Sequence, residues 1–238
     1  MILTNIENVP GKKVVTICGV VTGSTVRSKH MGKDLLAGFK NAFGGEIKGY
    51  TELLEESRKE ATERMIKQAK ILKEILKNNG ANVFLTREYD LTLSLKDRVK
   101  FAKENEAVIF VSLHFNAVPS GADPIKNKGT TVYYYNMASK NLAQAVQNNM
   151  VKTVFTKDNG IKRASFAVIR PTDYVGILVE TAFLINPEDS LLYMQPKFLE
   201  ETALAISQGI QDFITGTGDN YCTFKPISHK KKRCLKRK

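Results

Sequence analysis

Residues 107–113 read AVIFVSL, an apolar run broken only by one serine. A strand with one face in water alternates apolar and polar residues; a strand this uniformly apolar is covered on both faces. That requirement points to an α/β layer structure, a sheet with helices packed above and below it. The rest of the chain agrees. KKVVTICGVVT (12–22), NVFLTR (82–87), GTTVYYYN (129–136), SFAVIR (165–170) and GILVETA (176–182) read as further strands. DLLAGFKNAF (34–43) reads as a short helix closed by Gly44 and Gly45, and 50–79, free of Pro and Gly, as a long helix ended by Asn79-Gly80. Its later half carries an apolar stripe at Ala61, Met65, Ala69, Leu72 and Leu76. SLKDRVKFAKEN (94–105) opens with Ser94 and Asp97 in near capping-box spacing, and 138–155 and 196–214 are amphipathic helices. The predicted fold is α/β, a mixed, mostly parallel sheet flanked by helices, with an N-terminal α+β segment.

Composition permits a sizeable core: of 238 residues, 42% are hydrophobic and 25% charged. No apolar run is long enough to span a bilayer. The opening MILTNIENVPGKK lacks the basic-then-apolar pattern of a secretory signal, which by itself predicts a cytoplasmic protein. Cys18, Cys222 and Cys234 are scattered, so neither a disulfide framework nor a thiolate zinc site is expected. The net charge of +12 is concentrated at the end, where HKKKRCLKRK holds seven Lys and Arg and no acid. Such a run is a solvated tail; its functional alternative is contact with a polyanion.

Two polar residues interrupt the apolar strands. His114, in VSLHFNA, stands where open α/β sheets place their ligands, at the C-terminal end of a strand. Glu180 stands inside ILVETAF, and a buried carboxylate needs a partner: a cation, a metal, or a water held for catalysis. The plain structural reading pairs it with Arg170 or Lys162. The chemical reading brings His114 and Glu180 to one crevice for metal-assisted hydrolysis, with His114 as ligand and Glu180 as general base. His30 and His229 lie in a loop and in the basic tail.

LKEILKNNGANVFLTREYDLTLSLKDRVKFAKENEAVIFVSLHFNA, followed by KGTTVYYYN and DNGIKRASFAVIRPTDYVGILVETAFLINPEDSLL, resembles the zinc-dependent N-acetylmuramoyl-L-alanine amidases of the type-3 class over about residues 66–215. The resemblance implies hydrolysis of the amide between N-acetylmuramic acid and L-alanine in peptidoglycan, with zinc as cofactor, peptidoglycan fragments as substrate, His114 as a zinc ligand and Glu180 as the catalytic glutamate. Phe115 and Ala182 stand where smaller residues are common in that family, and both are expected to narrow the groove.

The family's Gly-His-Gly-Gly loop, which carries another zinc ligand, is missing. Residues 1–68 instead resemble the small bacterial YbjQ-like proteins, to which heavy-metal binding is attributed, on GVVTGSTVRSKHMGKDLLAGFKNAFGGEIKGYTELLEESRKEATERM. Alignment on LKEIL puts the family's glutamate ligand near Ala61, flanked by Glu60 and Glu63, and Glu60, one residue off, is the expected second ligand; Cys18 and His30 are the candidates to replace the missing histidine, their plain structural readings being a buried small residue and a solvated loop residue. A catalytic zinc takes three protein ligands and a water. The expected organisation is a YbjQ-like segment (1–68), an amidase-like domain truncated at its front (69–217) and a basic tail (218–238). The alternatives to an active or impaired amidase are a non-catalytic amidase remnant and a metal-binding or oligomerising module, the homo-oligomer forming through the N-terminal segment. The amidase resemblance implies the cell envelope, against the cytoplasm suggested by the N-terminus.

Overall fold

The computed structural model describes residues 15–21, 47–116, 123, 125–154, 156–184 and 186–216, with side chains at Lys59 and from Thr62 onward. Six strands form one sheet: β1 (Val15–Val21), β2 (Ala81–Leu85), β3 (Ile109–Asn116), β4 (Thr130–Tyr134), β5 (Asp158–Arg163) and β6 (Val175–Phe183), in the order β2-β1-β3-β6-β4-β5. All neighbours are parallel except β4 and β6. The helices are α1 (Ile47–Asn78), α2 (Leu95–Glu104), α3 (Lys140–Val154), α4 (Pro187–Tyr193) and α5 (Phe198–Thr215). The fold is thus mixed α/β with a mostly parallel sheet flanked by helices. No helix among the described residues is long and apolar enough to cross a membrane.

Alternation along the central strands divides the apolar residues between two layers. Ile109, Val111, Leu113 and Phe115 of β3, with Ile177 and Val179 of β6, join the main core with Met65, Leu72 and Leu76 of α1, Leu142, Val146 and Met150 of α3, and Ile206 and Ile210 of α5. Phe110 and Leu178 belong to a smaller cluster on the other face, with Ala102 of α2 and Val168, Ile169 and Tyr174. Both faces of β3 are covered, as its composition demands.

Local signals act where the sequence places them. Ser94 caps α2 by accepting from the Asp97 amide at 3.1 Å, and Gly80, with φ of 88°, closes α1. One expected strand is absent. SFAVIR contributes a turn, closed by the Ile169 amide on the Phe166 carbonyl at 3.1 Å, and its Val168 and Ile169 fill the smaller cluster from that turn. The strand is the preceding DNGIKR, whose Gly160 and short polar residues hid it. The expected helix at 34–43 and the basic tail lie outside the described residues, as does the segment through which oligomerisation was expected.

β1 lies between β2 and β3, with Ile17 level with both Val83 and Ile109. Helix α1 runs unbroken through position 68. The two sequence segments therefore share one sheet and one helix.

Candidate active site

β3 and β6 run parallel, and their register sets His114 directly beside Glu180. Phe110, Ser112 and His114 on one strand and Leu178 and Glu180 on the next share the face away from the main core. Just past this pair the register slips: the next partners are Asn116 and Phe183, so β6 carries an extra residue. A bulge of this kind re-aims side chains at a strand end. Two threonines hold the backbone at the slip. Thr181 Oγ1 donates to the His114 carbonyl at 3.0 Å, and Thr130 Oγ1 to the Glu180 carbonyl at 2.9 Å.

The two side chains differ in their protonation. Burial, with the nearby Arg98 and Arg87 guanidiniums, lowers the His114 imidazole to about 3, so it is neutral at physiological pH. Its Nε2 lies 2.9 Å from Ser112 Oγ. When Nε2 donates to that oxygen, the lone pair resides on Nδ1, the state in which a histidine ligates. Burial alone pushes the Glu180 carboxyl up to about 8. Its Oε2 is buried and has no hydrogen-bond partner among the described residues. Neither Arg170 nor Lys162 pairs with it, so the ion-pair reading of this carboxylate does not hold.

The other proposed ligands fare differently. Cys18 is level with Phe110, four residues before His114. At about 3.3 Å per residue its backbone is about 13 Å along the strand from that of His114, and its side chain is outside the described residues. Glu60 lies within α1, and its side chain is outside the described residues, as is the whole of His30. Phe115 and Ala182, expected to narrow the groove, do neither: both face the main core, where the Phe115 ring packs edge-on against Tyr193 at 5.5 Å.

Two residues at the site escaped the sequence reading. Thr131 is directly opposite Glu180 across the antiparallel β4–β6 pair, and Tyr133 is two positions along on the same face. Burial, with Glu180 as a second cause, raises the Tyr133 phenol above its ordinary value. The alternation in TTVYYY was the available signal.

A neutral imidazole beside a carboxylate oxygen without a partner suits a divalent cation in the chemistry of its donors. The described residues contain no group of three His, Cys, Asp or Glu able to close such a site.

The model of the N-acetylmuramoyl-L-alanine amidase family matches residues 30–212, most of the chain. The chain belongs to that family. The amidase of Clostridium difficile 630 has a similar structure, with 31% identity and a TM-score of 0.61 over 66% of this chain and 85% of that one. The catalytic domain of the amidase CwlV from Bacillus (Paenibacillus) polymyxa is 32% identical, with a TM-score of 0.59 over 64% of this amidase and 84% of that chain. The N-terminal region has a different likeness. It matches the UPF0145 protein of Hahella chejuensis, 63% identical over 70 residues, which is 29% of this amidase and 67% of that protein. The family match begins at residue 30, ahead of residue 66 where the sequence resemblance to the amidases was placed, and the UPF0145 likeness lies in the N-terminal region of the same chain.

Proposed function

We propose that this chain hydrolyses the amide joining the lactyl group of N-acetylmuramic acid to L-alanine in peptidoglycan, with zinc bound by His114 and Glu60 and with Glu180 as general base. The observation that carries the reading is the side-by-side pairing of a neutral imidazole with a buried, unpartnered carboxylate on adjacent parallel strands. Zinc, where bound, supplies polarisation of the scissile carbonyl and acidification of a water. In its ionised form, which burial disfavours until about pH 8 in the metal-free protein, Glu180 takes the proton of the attacking water on Oε2 and delivers it to the departing alanine nitrogen. His114 stays neutral throughout, because burial, and after it the nearby Arg98 and Arg87, oppose its protonation. Ser112 and the Thr181 hydroxyl orient its ring and backbone. The substrate sets the place of action in the cell envelope.

A second reading, an amidase-like protein that binds muropeptide without cutting it, is favoured by the missing Gly-His-Gly-Gly motif. Elemental analysis separates the two. The enzyme reading expects about one zinc per chain in the purified protein, lost in His114→Ala and reduced in Glu60→Ala, with release of stem peptide from cell-wall fragments. Glu180→Ala is expected to keep the zinc and lose about 100-fold or more in rate. Zinc-free protein that binds muropeptide in calorimetry but releases no peptide establishes the binding-only reading.

A further inference from the structure

The face that carries Glu180 continues sideways onto β4 and β5, and the residues there have no place in the proposed chemistry. Tyr133 on β4 is half-buried and sits diagonally from Glu180, since Thr131 is the direct partner. Diagonal neighbours across an antiparallel pair lie about 7–8 Å apart, within reach of an aromatic ring. The Tyr133 ring is held edge-on by Phe166 at 5.2 Å, and Phe166 is 38% exposed. One strand further out, Lys162 is the register partner of Tyr133 in the parallel β4–β5 pair and is exposed. Register partners share a face, so the lysine flanks the aromatic pair. Among the described residues Lys162 forms no ion pair, whereas Lys73, Lys103 and Lys128 each have a carboxylate from a distant segment.

We propose that Lys162, Tyr133 and Phe166 form a subsite on the β4–β5 side of Glu180 that takes a carboxylate-bearing residue of the substrate's peptide. This rests on the hydrolase reading and extends it to the acceptable peptide. Two strand spacings of about 4.8 Å and two residues of about 3.3 Å place the Lys162 and Glu180 backbones about 12 Å apart. An extended peptide advances about 3.5 Å per residue. A side-chain carboxylate on the second residue after the scissile amide therefore spans the gap to a lysine that reaches back toward it. The aromatic pair contacts the intervening backbone and apolar side chain, and the ammonium selects for negative charge at its end. A carboxamide in place of that carboxylate keeps the shape and removes the charge.

The test compares two muramyl peptides that differ only in a carboxylate or carboxamide on the second residue. Binding is read by calorimetry and turnover by peptide release. Wild type is expected to favour the acid by about five-fold, the size of a partly exposed ion pair. Lys162→Ala brings the ratio to near one, Lys162→Glu reverses it, and Lys162→Arg retains it. Phe166→Ala weakens both peptides equally, raising KM more than it lowers kcat. An acid-to-amide ratio unchanged in Lys162→Ala overturns the subsite. Should wild type cut neither peptide yet bind the acid preferentially through Lys162, the subsite stands and the hydrolase reading falls. Equal binding of both peptides by wild type overturns the subsite whether or not they are cut.

Discussion

Burial alone pushes the Glu180 carboxyl up to about 8, against an ordinary value of about 4.5 for a glutamate in water. In the folded protein it keeps its proton in a pH range where the unfolded chain has released it. Stability is therefore full below about pH 4.5 and falls as pH rises through the window to about 8. His114 works in the opposite direction. Its folded value of about 3 against 6.5 means that its contribution is present above pH 6.5 and lost as pH falls toward 3. The metal-free protein is then most stable on the mildly acidic side of neutrality as far as these two groups decide it. Glu180→Gln removes the alkaline penalty. In thermal melts with chelator, this variant should gain on the order of 3 kcal/mol over wild type at pH 8.5 and nothing at pH 4.5. An equal effect at both pH values would show that packing, not ionisation, is being measured. Both residues were legible in the sequence because each broke an apolar run. Their adjacency was not, since it depends on the register of two strands more than sixty residues apart.

At the scale of elements, two contacts carry more than propensity suggests. Gly209 lies inside α5, where a glycine ordinarily weakens a helix by about 1 kcal/mol relative to alanine. A Cβ there would lie 2.5 Å from Val146 Cα and 2.7 Å from Val146 N on α3. The glycine lets two helix backbones meet. Gly209→Ala should therefore destabilise by about 1–3 kcal/mol despite its better helix propensity, seen as a lower denaturant midpoint with unchanged slope. The second contact is the short helix α4, which begins at Asn186-Pro187. Asp189, buried within it, accepts from the Phe183 amide at 2.7 Å and the Gly129 amide at 2.9 Å, joining the end of β6 to the start of β4. Asp189→Ala leaves two buried amides without that acceptor. A loss of about 2–4 kcal/mol in thermal unfolding is expected, with Asp189→Asn intermediate. Neither contact was readable beforehand, because both depend on partners distant in sequence. The same limit explains the misplaced strand: SFAVIR has the β-forming residues, yet its apolar side chains are spent on the smaller cluster, while DNGIKR pairs through its backbone with β4.

At the scale of the molecule, a strand from the UPF0145-like region occupies a central place in the sheet. β2 pairs with β1 alone, and β3 would become an edge without it. An unpaired edge of apolar residues exposes a row of amides and carbonyls and favours association. Residues 69–217 expressed alone are therefore expected to aggregate or to lack a cooperative melt, whereas the full chain melts in one transition. A soluble, cooperatively folding 69–217 fragment would show that the amidase-like part is autonomous.

The sequence by itself determined the layer architecture, the long helix, the caps and the two residues that interrupt the apolar strands, because hydrophobic periodicity and capping are local properties of the chain. Only the tertiary structure decided that His114 and Glu180 are neighbours, that Phe115 faces the core and that Tyr133 and Lys162 flank the site. Those facts follow from strand order and register, which arise when distant segments pair and which no local pattern encodes.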